Sequence, residues 1–320
     1  MRSSPFRHRL LCAVVPWLCL CIHPWLCLCI HPWPMSLIAQ SPDHADVPYA
    51  KLGERELHLD LYLPTARAED RQAEVVGDGA PLIVWVHGGA WRAGSKASVP
   101  VKHLLQHGFA IASVDYRLSG EAKFPAQAFD IKAAIRYLRA NADQLGIAPN
   151  RFVIAGASAG GHLAALIGTS NHSKPLEGSV GEHLDTSSSV QAIVSFYGAA
   201  NLETILAQST PHGLRVRVPA LELLLGGQPK QQTALAKLAS PVNHVGPEDP
   251  ALWLIHGDAD PQMPFAQSVE LMKAYRVQKL PVRLEVVSGG QHGGSEFYAT
   301  RRLDRLAEQL HEQLPKPLSR

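Results

Sequence analysis

The chain has 320 residues, of which 46% are hydrophobic and 18% charged, a composition typical of a globular protein with a sizeable core rather than of a disordered chain. Its formal net charge is only +2, so the charge balance does not point to a nucleic-acid partner or to an acidic surface. All five cysteines lie in the first 30 residues, which excludes a disulfide scaffold, a thiolate zinc site and a cysteine nucleophile from the rest of the chain: Cys12, Cys19, Cys21, Cys27 and Cys29.

Residues 1–40 are predicted to form a leader ahead of the folded domain. A basic start, MRSSPFRHR, is followed by an apolar stretch in which WLCLCIHP occurs twice in tandem, at 17–24 and 25–32. This arrangement is typical of a secretory signal peptide, so we expect export to the periplasm or the extracellular space. Two alternatives stay open: translation from Met35, which would leave a cytoplasmic protein, and a retained membrane anchor, which the His-Pro pairs in the stretch disfavour. In the mature protein we expect no stable membrane span.

From residue 48 onward, patterns of strands and helices alternate. The stretch ELHLDLYLP at 56–64 has a period of two, which predicts a half-exposed antiparallel edge strand. Continuous apolar runs predict buried parallel strands at 82–86, 109–116, 151–156, 190–198, 252–257 and 282–289. Helical patterns lie at about 125–145, 159–169, 265–277 and 296–314.

This alternation predicts one α/β domain over residues 41–320, with a doubly wound, mostly parallel sheet. In such sheets ligands bind beyond the carboxyl ends of the strands. Residues 199–246 break the alternation, because they are rich in helical patterns and interrupted by Gly, Pro and Gln. We expect this segment to form a small helical cap over the strand ends.

The sequence Gly156-Ala157-Ser158-Ala159-Gly160 fits the G-x-S-x-G pattern and lies between a predicted strand and a predicted helix. A serine on so sharp a turn is held at a strained backbone angle, and only small flanking residues let the strand and the helix close. The turn exposes the hydroxyl at the top of the sheet, at a helix N-terminus whose partial positive charge favours an anion. The pattern therefore predicts that Ser158 is a nucleophile.

A serine hydroxyl needs a general base, and the base needs a carboxylate that orients it. On a sheet of this kind the chain order is serine, acid, histidine. Two histidines lie late enough, and His292, in the glycine-rich loop SGGQHGG after the last predicted strand, is favoured over His311, which falls inside the last predicted helix. The acid is Asp258 or Asp260 in HGDADPQMP; Asp258 could simply shape the turn, which gives Asp260 a modest advantage.

Four motifs together resemble those of α/β-hydrolase esterases: HGG at 87–89, GASAGGHL at 156–163, HGDAD at 256–260, and the pair His292-Gly293. The likeness is greatest to the carboxylesterase branch that contains acetylxylan and feruloyl esterase-like (BD-FAE-like) proteins, near the hormone-sensitive-lipase group, and it extends over about residues 48–300. In that family the triad acid is the second aspartate of H-G-x-x-D, which favours Asp260. The resemblance implies a serine hydrolase of carboxylic esters that uses no metal and no cofactor.

The same resemblance implies that the backbone amides of Gly88, Gly89 and Ala159 form the oxyanion hole, where donors fixed in advance stabilise the developing charge. The sequence departs from the family in two places. The third position of the H-G-G-G motif is Ala90, and the residue before Ser158 is not the aspartate usual in the lipase-like group. The second departure argues against that narrower assignment.

Trp91 is expected to form the floor of the substrate pocket, and His87 to tie the loop down. Phe196 and Tyr197 end a predicted strand near the cleft, where they either line the acyl pocket or fill the core. His162 is expected to be a packing residue rather than a second base. Although the chain has 16 histidines, it has no H-E-x-x-H or comparable cluster, so we expect no metal.

These patterns predict a serine esterase that acts on a small ester, with short acyl groups favoured. Two alternatives stay open at this point. One is an amide hydrolase with the same three residues, arylformamidase-like or a small peptidase; the other is a catalytically inactive binding protein on this fold. The natural substrate and the oligomeric state are not indicated by the sequence.

Overall fold

An eight-stranded sheet forms the centre of the computed structural model, which describes residues 40–64, 79–171 and 173–316. The strands are β1 His44–Leu52, β2 Arg55–Tyr62, β3 Ala80–Val86, β4 Ala110–Val114, β5 Ile147–Ala157, β6 Ala192–Phe196, β7 Ala251–Gly257 and β8 Val282–Val287. Their order is β1-β2-β4-β3-β5-β6-β7-β8. The pairs β1–β2 and β2–β4 are antiparallel and the others parallel, which confirms the predicted mostly parallel α/β sheet.

Nine α-helices lie in the described part of the chain: α1 Ala126–Ala140, α2 Ala142–Leu145, α3 Ala159–Thr169, α4 Lys174–Glu177, α5 Ile205–Gln208, α6 Pro211–Leu225, α7 Thr233–Leu238, α8 Phe265–Val277 and α9 Thr300–Gln313. Short 3-10 helices occupy Lys102–His107, Pro241–Asn243 and Ser295–Tyr298. The helix predicted over 125–145 is divided at Asn141, and the last predicted helix begins only at Thr300. The segment 199–246 contains α5, α6 and α7.

Alternate residues of the central strands pack into two separate cores, one on each face of the sheet. Val84 of β3 belongs to a core that includes Ile131 of α1 and Leu163 of α3. The next residue, Trp85, belongs to the core that includes Leu303 of α9. Because both faces are covered by helices, the central strands are apolar on both sides, as their continuous hydrophobic runs indicate.

The antiparallel strand predicted at 56–64 is present as β2, but the prediction that it lies at the edge of the sheet was wrong. β1 pairs along the outer side of β2, so β2 is the second strand of the sheet. The polar face of β2 is covered as well, because Asp60 receives a hydrogen bond from Lys96 Nζ at 2.8 Å and Tyr62 lies beneath Lys102 Nζ, 4.3 Å from its ring centroid. The pattern of β1, HADVPYAKL, has no regular alternation, which is why periodicity did not reveal it.

The predicted leader lies outside the described residues, apart from Gln40. Among the residues that are described, no helix is both long and apolar enough to cross a membrane.

Candidate active site

Ser158 lies on the sharp turn between β5 and α3. Its backbone has φ 56° and ψ −117°, in a region that non-glycine residues rarely occupy. The flanking glycines are required by close contact: a Cβ on Gly160 would lie 2.0 Å from the carbonyl oxygen of Val86, and one on Gly156 would lie 2.4 Å from the carbonyl oxygen of Gly160. The turn closes only because these two positions lack side chains.

His292 and Asp260 complete a hydrogen-bonded chain that begins at Ser158. The Oγ of Ser158 is 2.8 Å from Nε2 of His292, and Nδ1 of His292 is 2.7 Å from Oδ2 of Asp260. Because the carboxylate accepts a hydrogen bond from Nδ1–H, the neutral ring presents the lone pair of Nε2 to the serine hydroxyl. The three side chains come from the ends of β5, β7 and β8, where the sequence predicts ligand-binding residues.

The carboxylate of Asp260 is fully buried and held by several donors. Its Oδ1 accepts the backbone N–H groups of Gln262 and Met263, each at 2.8 Å. Burial raises the pKa of Asp260, but hydrogen bonds from His256 and His292 lower it by more, so the pKa lies well below its usual range. The group is therefore a fixed anion behind the imidazole.

The rival residues lie elsewhere. Asp258 is exposed, and its Oδ1 accepts the backbone N–H of Gly289 at 2.6 Å, a turn-shaping contact. His311 lies on α9, where its Nε2 donates to the carbonyl oxygen of His107 at 2.8 Å. The structure thus brings Asp260 and His292 together with Ser158, and leaves Asp258 and His311 out of that chain.

The loop after β3 runs directly against the turn that carries Ser158. A Cβ on Gly88 would lie 2.9 Å from the carbonyl oxygen of Ala157 and 3.5 Å from Cβ of Ser158. Three successive residues, Gly89, Ala90 and Trp91, have positive φ angles of 110°, 52° and 60°. This tight bend places the backbone of residues 88–89 beside the serine.

His87 fixes the start of this loop. Its ring is buried and stacks on Tyr116 with 4.4 Å between the ring centroids, while Nδ1 is 2.7 Å from the carbonyl oxygen of Gly88. Tyr116 in turn donates its hydroxyl to the carbonyl oxygen of His87 at 3.0 Å. Burial lowers the pKa of His87, which favours the neutral ring.

Trp91 does not form the floor of the pocket, contrary to expectation. It is fully buried in the core and donates its indole N–H to Nδ1 of His162 at 3.1 Å. The hydrogen bond to His162 and the edge-on contact between the two rings, with 5.3 Å between their centroids, hold the indole in the core. His162 is likewise fully buried, and its Nε2 donates to the carbonyl oxygen of Ala239 at 2.6 Å.

A cavity of about 660 Å³ opens above Ser158 and His292. Gly88 and Gly89 line it, together with Tyr197. Phe196 does not; it is fully buried in the core, packed edge-on to Trp85 with 6.1 Å between the ring centroids. Phe196 is the last residue of β6, whereas Tyr197 follows the strand with a positive φ of 38°.

Several cavity residues were missed by the sequence analysis: Trp85, Arg92, Arg217, Gln262 and Tyr298. Tyr298 follows His292 closely in the chain. Its hydroxyl shares a hydrogen bond of 2.7 Å with the hydroxyl of Tyr197. Arg217 had a detectable signal, since it occupies the buried stripe of α6 together with Ala220, Leu221 and Leu224. A charged residue in such a stripe needs a reason for its burial.

A cluster of His103, His107 and Asp304 also escaped the sequence analysis, although the spacing of the two histidines is visible there. The Nε2 atoms of His103 and His107 lie 2.7 and 2.8 Å from the same oxygen, Oδ1 of Asp304. Each imidazole N–H therefore already has an acceptor. The cluster joins the 3-10 helix at Lys102–His107 to α9, and none of its three residues lines the cavity.

With this geometry established, comparison with known proteins identifies the family. A family model described as BD-FAE matches residues 59–275, more than half of the chain. The chain belongs to the BD-FAE family. The motifs from which the sequence analysis inferred a likeness to BD-FAE proteins are thus confirmed as family membership.

Relatives of this BD-FAE protein include two from Mycobacterium tuberculosis. Esterase LipC is 32% identical over 228 residues, which cover 70% of this chain and 55% of the relative. Esterase LipQ is 32% identical over 236 residues, which cover 72% of this chain and 52% of the relative. The chain therefore spans only about half the length of these curated relatives.

Solved structures resemble this BD-FAE protein over most of its length. A truncated form of a carbohydrate esterase from gut microbiota has a TM-score of 0.75 and 32% identity, covering 86% of this chain and 99% of the other. Esterase Est2 of the planctomycete Thermogutta terrifontis, with propionate bound, has a TM-score of 0.66 and 27% identity, covering 84% and 95%. These neighbours confirm the predicted α/β-hydrolase fold.

Proposed function

We propose that this protein is a serine hydrolase that cleaves carboxylic esters through an acyl-enzyme intermediate. The observation that carries the proposal is the hydrogen-bonded chain from Ser158 Oγ to His292 Nε2 at 2.8 Å and from His292 Nδ1 to Asp260 Oδ2 at 2.7 Å, open to a cavity. Membership of the BD-FAE family and the esterases among its relatives support it.

In the first half of the reaction, Ser158 Oγ attacks the ester carbonyl carbon while His292 Nε2 takes the hydroxyl proton. Asp260 stabilises the imidazolium that forms and keeps its ring in place. The carbonyl oxygen becomes an oxyanion, which the backbone N–H groups of Gly88, Gly89 and Ala159 are proposed to bind. Losing one such donor would raise the barrier by about 3 kcal/mol.

Collapse of this intermediate breaks the ester bond, and the imidazolium gives its proton to the leaving alcohol. The acyl group stays on Ser158. A water molecule then attacks the acyl carbon as His292 accepts one of its protons, and the second collapse releases the acid and returns the proton to Oγ. Every proton in both halves passes through Nε2 of His292, so no metal or cofactor is required by this scheme.

Short acyl groups are the proposed substrates. The structural neighbour Est2 has been solved with propionate bound, in a structure that matches at 27% identity, and with butyrate bound, in one that matches at 26%. The same esterase has been solved phosphonylated by sarin. A phosphonate that labels a serine hydrolase is therefore a suitable probe for this chain as well.

The test is labelling of the purified full chain with a fluorophosphonate, together with hydrolysis of p-nitrophenyl esters from acetate to octanoate. We expect labelling and turnover that are lost in Ser158→Ala, with rates that fall as the acyl chain lengthens. Ser98→Ala is the matched control, because Ser98 lines the same cavity but is not part of the hydrogen-bonded chain. A folded protein that neither labels nor turns over esters would refute the proposal and favour an inactive binding protein.

Amide cleavage is tested in the same experiment with an N-formyl aryl amide and an aminopeptidase substrate. Faster turnover of either than of p-nitrophenyl acetate would replace the ester assignment by an amide hydrolase with the same residues.

Export is a separate proposal that rests on the leader sequence alone. Mass spectrometry of the native N-terminus tests it, and a chain that begins at Met1 or Met35 would contradict it.

A further inference from the structure

Arg217 reaches the cavity from α6, a helix that rests on the loop carrying Asp260. Thr210, at the start of α6, accepts the N–H of Gly213 at 3.0 Å and donates its hydroxyl to the carbonyl oxygen of Pro261 at 2.6 Å. A Cβ on Gly213 would lie 2.8 Å from the carbonyl oxygen of Gln262, so the helix contacts this loop closely. About one turn further on, Arg217 lines the cavity together with Ser158 and His292.

Two nitrogens of the Arg217 guanidinium are buried without an acceptor. Its side chain has 0% exposure, and Nε and Nη2 have no hydrogen-bond partner among the residues that the structure describes. Burial lowers the pKa of Arg217 to about 10, while the charge of Asp260 acts in the opposite direction, so the group remains a cation at neutral pH. Buried charged donors are costly unless they are paired, and a partner is missing here.

The charged side chains that line the cavity are positive, as Arg217 is. Arg92 and Arg217 are among its lining residues, and no aspartate or glutamate lines it within the described ranges. Asp260 lies behind His292, with its oxygens engaged by that ring and by backbone N–H groups. Arg92 and Arg217 therefore give the wall of the cavity a positive charge, which favours an anion.

We propose that Arg217 binds a carboxylate carried by the alcohol portion of the ester, so that the protein prefers acylated hydroxy acids to neutral esters. The alcohol portion is assigned because His292 must deliver its proton to the leaving oxygen. The helix α6, which carries Arg217, rests on the loop of Asp260, the residue that holds His292. Two N–H groups of a guanidinium match the two oxygens of a carboxylate. This inference rests on the proposed esterase function.

The experiment compares para-acetoxybenzoate with its neutral methyl ester, which share the acetyl group and differ in the charge of the alcohol portion. For the full-length protein we expect the ratio of kcat/KM values to favour the anionic ester. In Arg217→Met that ratio should fall about 10- to 100-fold, mainly through KM, because charge-assisted hydrogen bonds are lost. Arg217→Lys keeps the charge but loses the paired N–H groups of the guanidinium, so it should retain part of the preference.

Arg215→Met is the matched control, since Arg215 lies on the exposed side of the same helix, and it should leave the ratio unchanged. Fluorophosphonate labelling shows whether each variant is folded and active. If Arg217→Met lowers kcat equally for both esters, Arg217 holds Asp260 in place and the inference is overturned. An unchanged ratio also overturns it. If the protein hydrolyses neither ester and does not label, it is the proposed function that fails, and the inference falls with it.

Discussion

Trp91 and His162 form a buried pair in which the indole N–H donates to Nδ1 of the imidazole at 3.1 Å. The other ring nitrogen, Nε2, donates to the carbonyl oxygen of Ala239 at 2.6 Å. Since Nδ1 is an acceptor and Nε2 a donor, the ring is neutral and in a single tautomer. Through it the loop of residues 87–91, the helix α3 and the segment that follows α7 are joined.

The pair predicts a loss of stability in acid. Burial lowers the pKa of His162 from 6.5 to about 4, so the unfolded chain takes up the proton first as the pH falls. Stability is therefore fully present above pH 6.5 and is lost as the pH falls toward 4. From about pH 7.5 to about pH 5 this one group should lower the free energy of unfolding by about 2 kcal/mol.

Urea denaturation of the wild type and His162→Gln at both pH values measures this effect. The variant should be less stable at the higher pH but lose less stability on acidification. His212→Gln, which removes an exposed histidine, should keep the wild-type difference. Equal losses in the wild type and His162→Gln would show that His162 does not carry the acid sensitivity.

The two aspartates of the HGDAD motif should differ sharply in their effect on catalysis. Asp260→Asn removes the acceptor that holds the tautomer of His292, and kcat should fall about 10⁴-fold. Asp258→Asn changes only a turn contact with Gly289, and activity should stay within about threefold of the wild type. Steady-state hydrolysis of p-nitrophenyl acetate measures both variants, and a larger loss from Asp258→Asn would reverse the assignment of the acid.

The pH profile of kcat/KM should show a single ionisation on its acid side. The pKa of Asp260 lies well below its usual range, since hydrogen bonds from His256 and His292 outweigh the effect of burial, so its carboxylate stays ionised as the pH falls. Activity should therefore be lost with unit slope as the pH falls, because the carboxylate adds no second ionisation. Rates measured from about pH 4 to about pH 9, with fluorescence as a check on folding, test this; a slope of two would mean that a second group titrates.

Gly160 should tolerate no side chain. A Cβ there would lie 2.0 Å from the carbonyl oxygen of Val86 and 2.5 Å from that of His87, so the end of β3 would have to move. We expect Gly160→Ala to lower the free energy of unfolding by about 3 kcal/mol and to abolish labelling of Ser158. Gly120→Ala is the matched control, because a Cβ there meets nothing within 4 Å, and it should change stability by less than about 0.5 kcal/mol. A stable, active Gly160→Ala protein would contradict the geometry of the turn.

Much of the sheet and the central chain of the site could be predicted because each left a local pattern. The runs that became β3 to β7 are largely apolar, as both faces of the sheet require. The prediction that 282–289 is a buried strand was wrong, because β8 is the last strand of the sheet and Val287 is its only buried residue. The positions of Ser158 and His292 followed from glycine-rich turns after strands. The choice between Asp258 and Asp260 needed the resemblance, because both follow β7 by a few residues and only the fold decides which one faces the imidazole.

The remaining features depend on contacts between distant segments. β1 is defined by its pairing with β2 and has no periodicity of its own, so the strand at 56–64 was mistaken for an edge. Trp91 was expected in the pocket because the pattern does not show its contact with His162, 71 residues away, which holds the indole in the core. Arg217 joins the cavity because α6 is seated on the loop after Asp260, a contact between Thr210 and Pro261 that spans 51 residues.

The surroundings of Trp85 give the site a built-in optical reporter. Of the tryptophans in the part of the chain that the structure describes, Trp85 alone lines the cavity above Ser158, and its indole N–H is anchored to the carbonyl oxygen of Ser98 at 2.7 Å. Trp91 is buried in the core, and Trp253 donates its indole N–H to Oε1 of Gln309 in α9. Intrinsic emission from Trp85 will therefore respond to an occupant of the cavity, and ligand entry can be followed without a chromogenic ester.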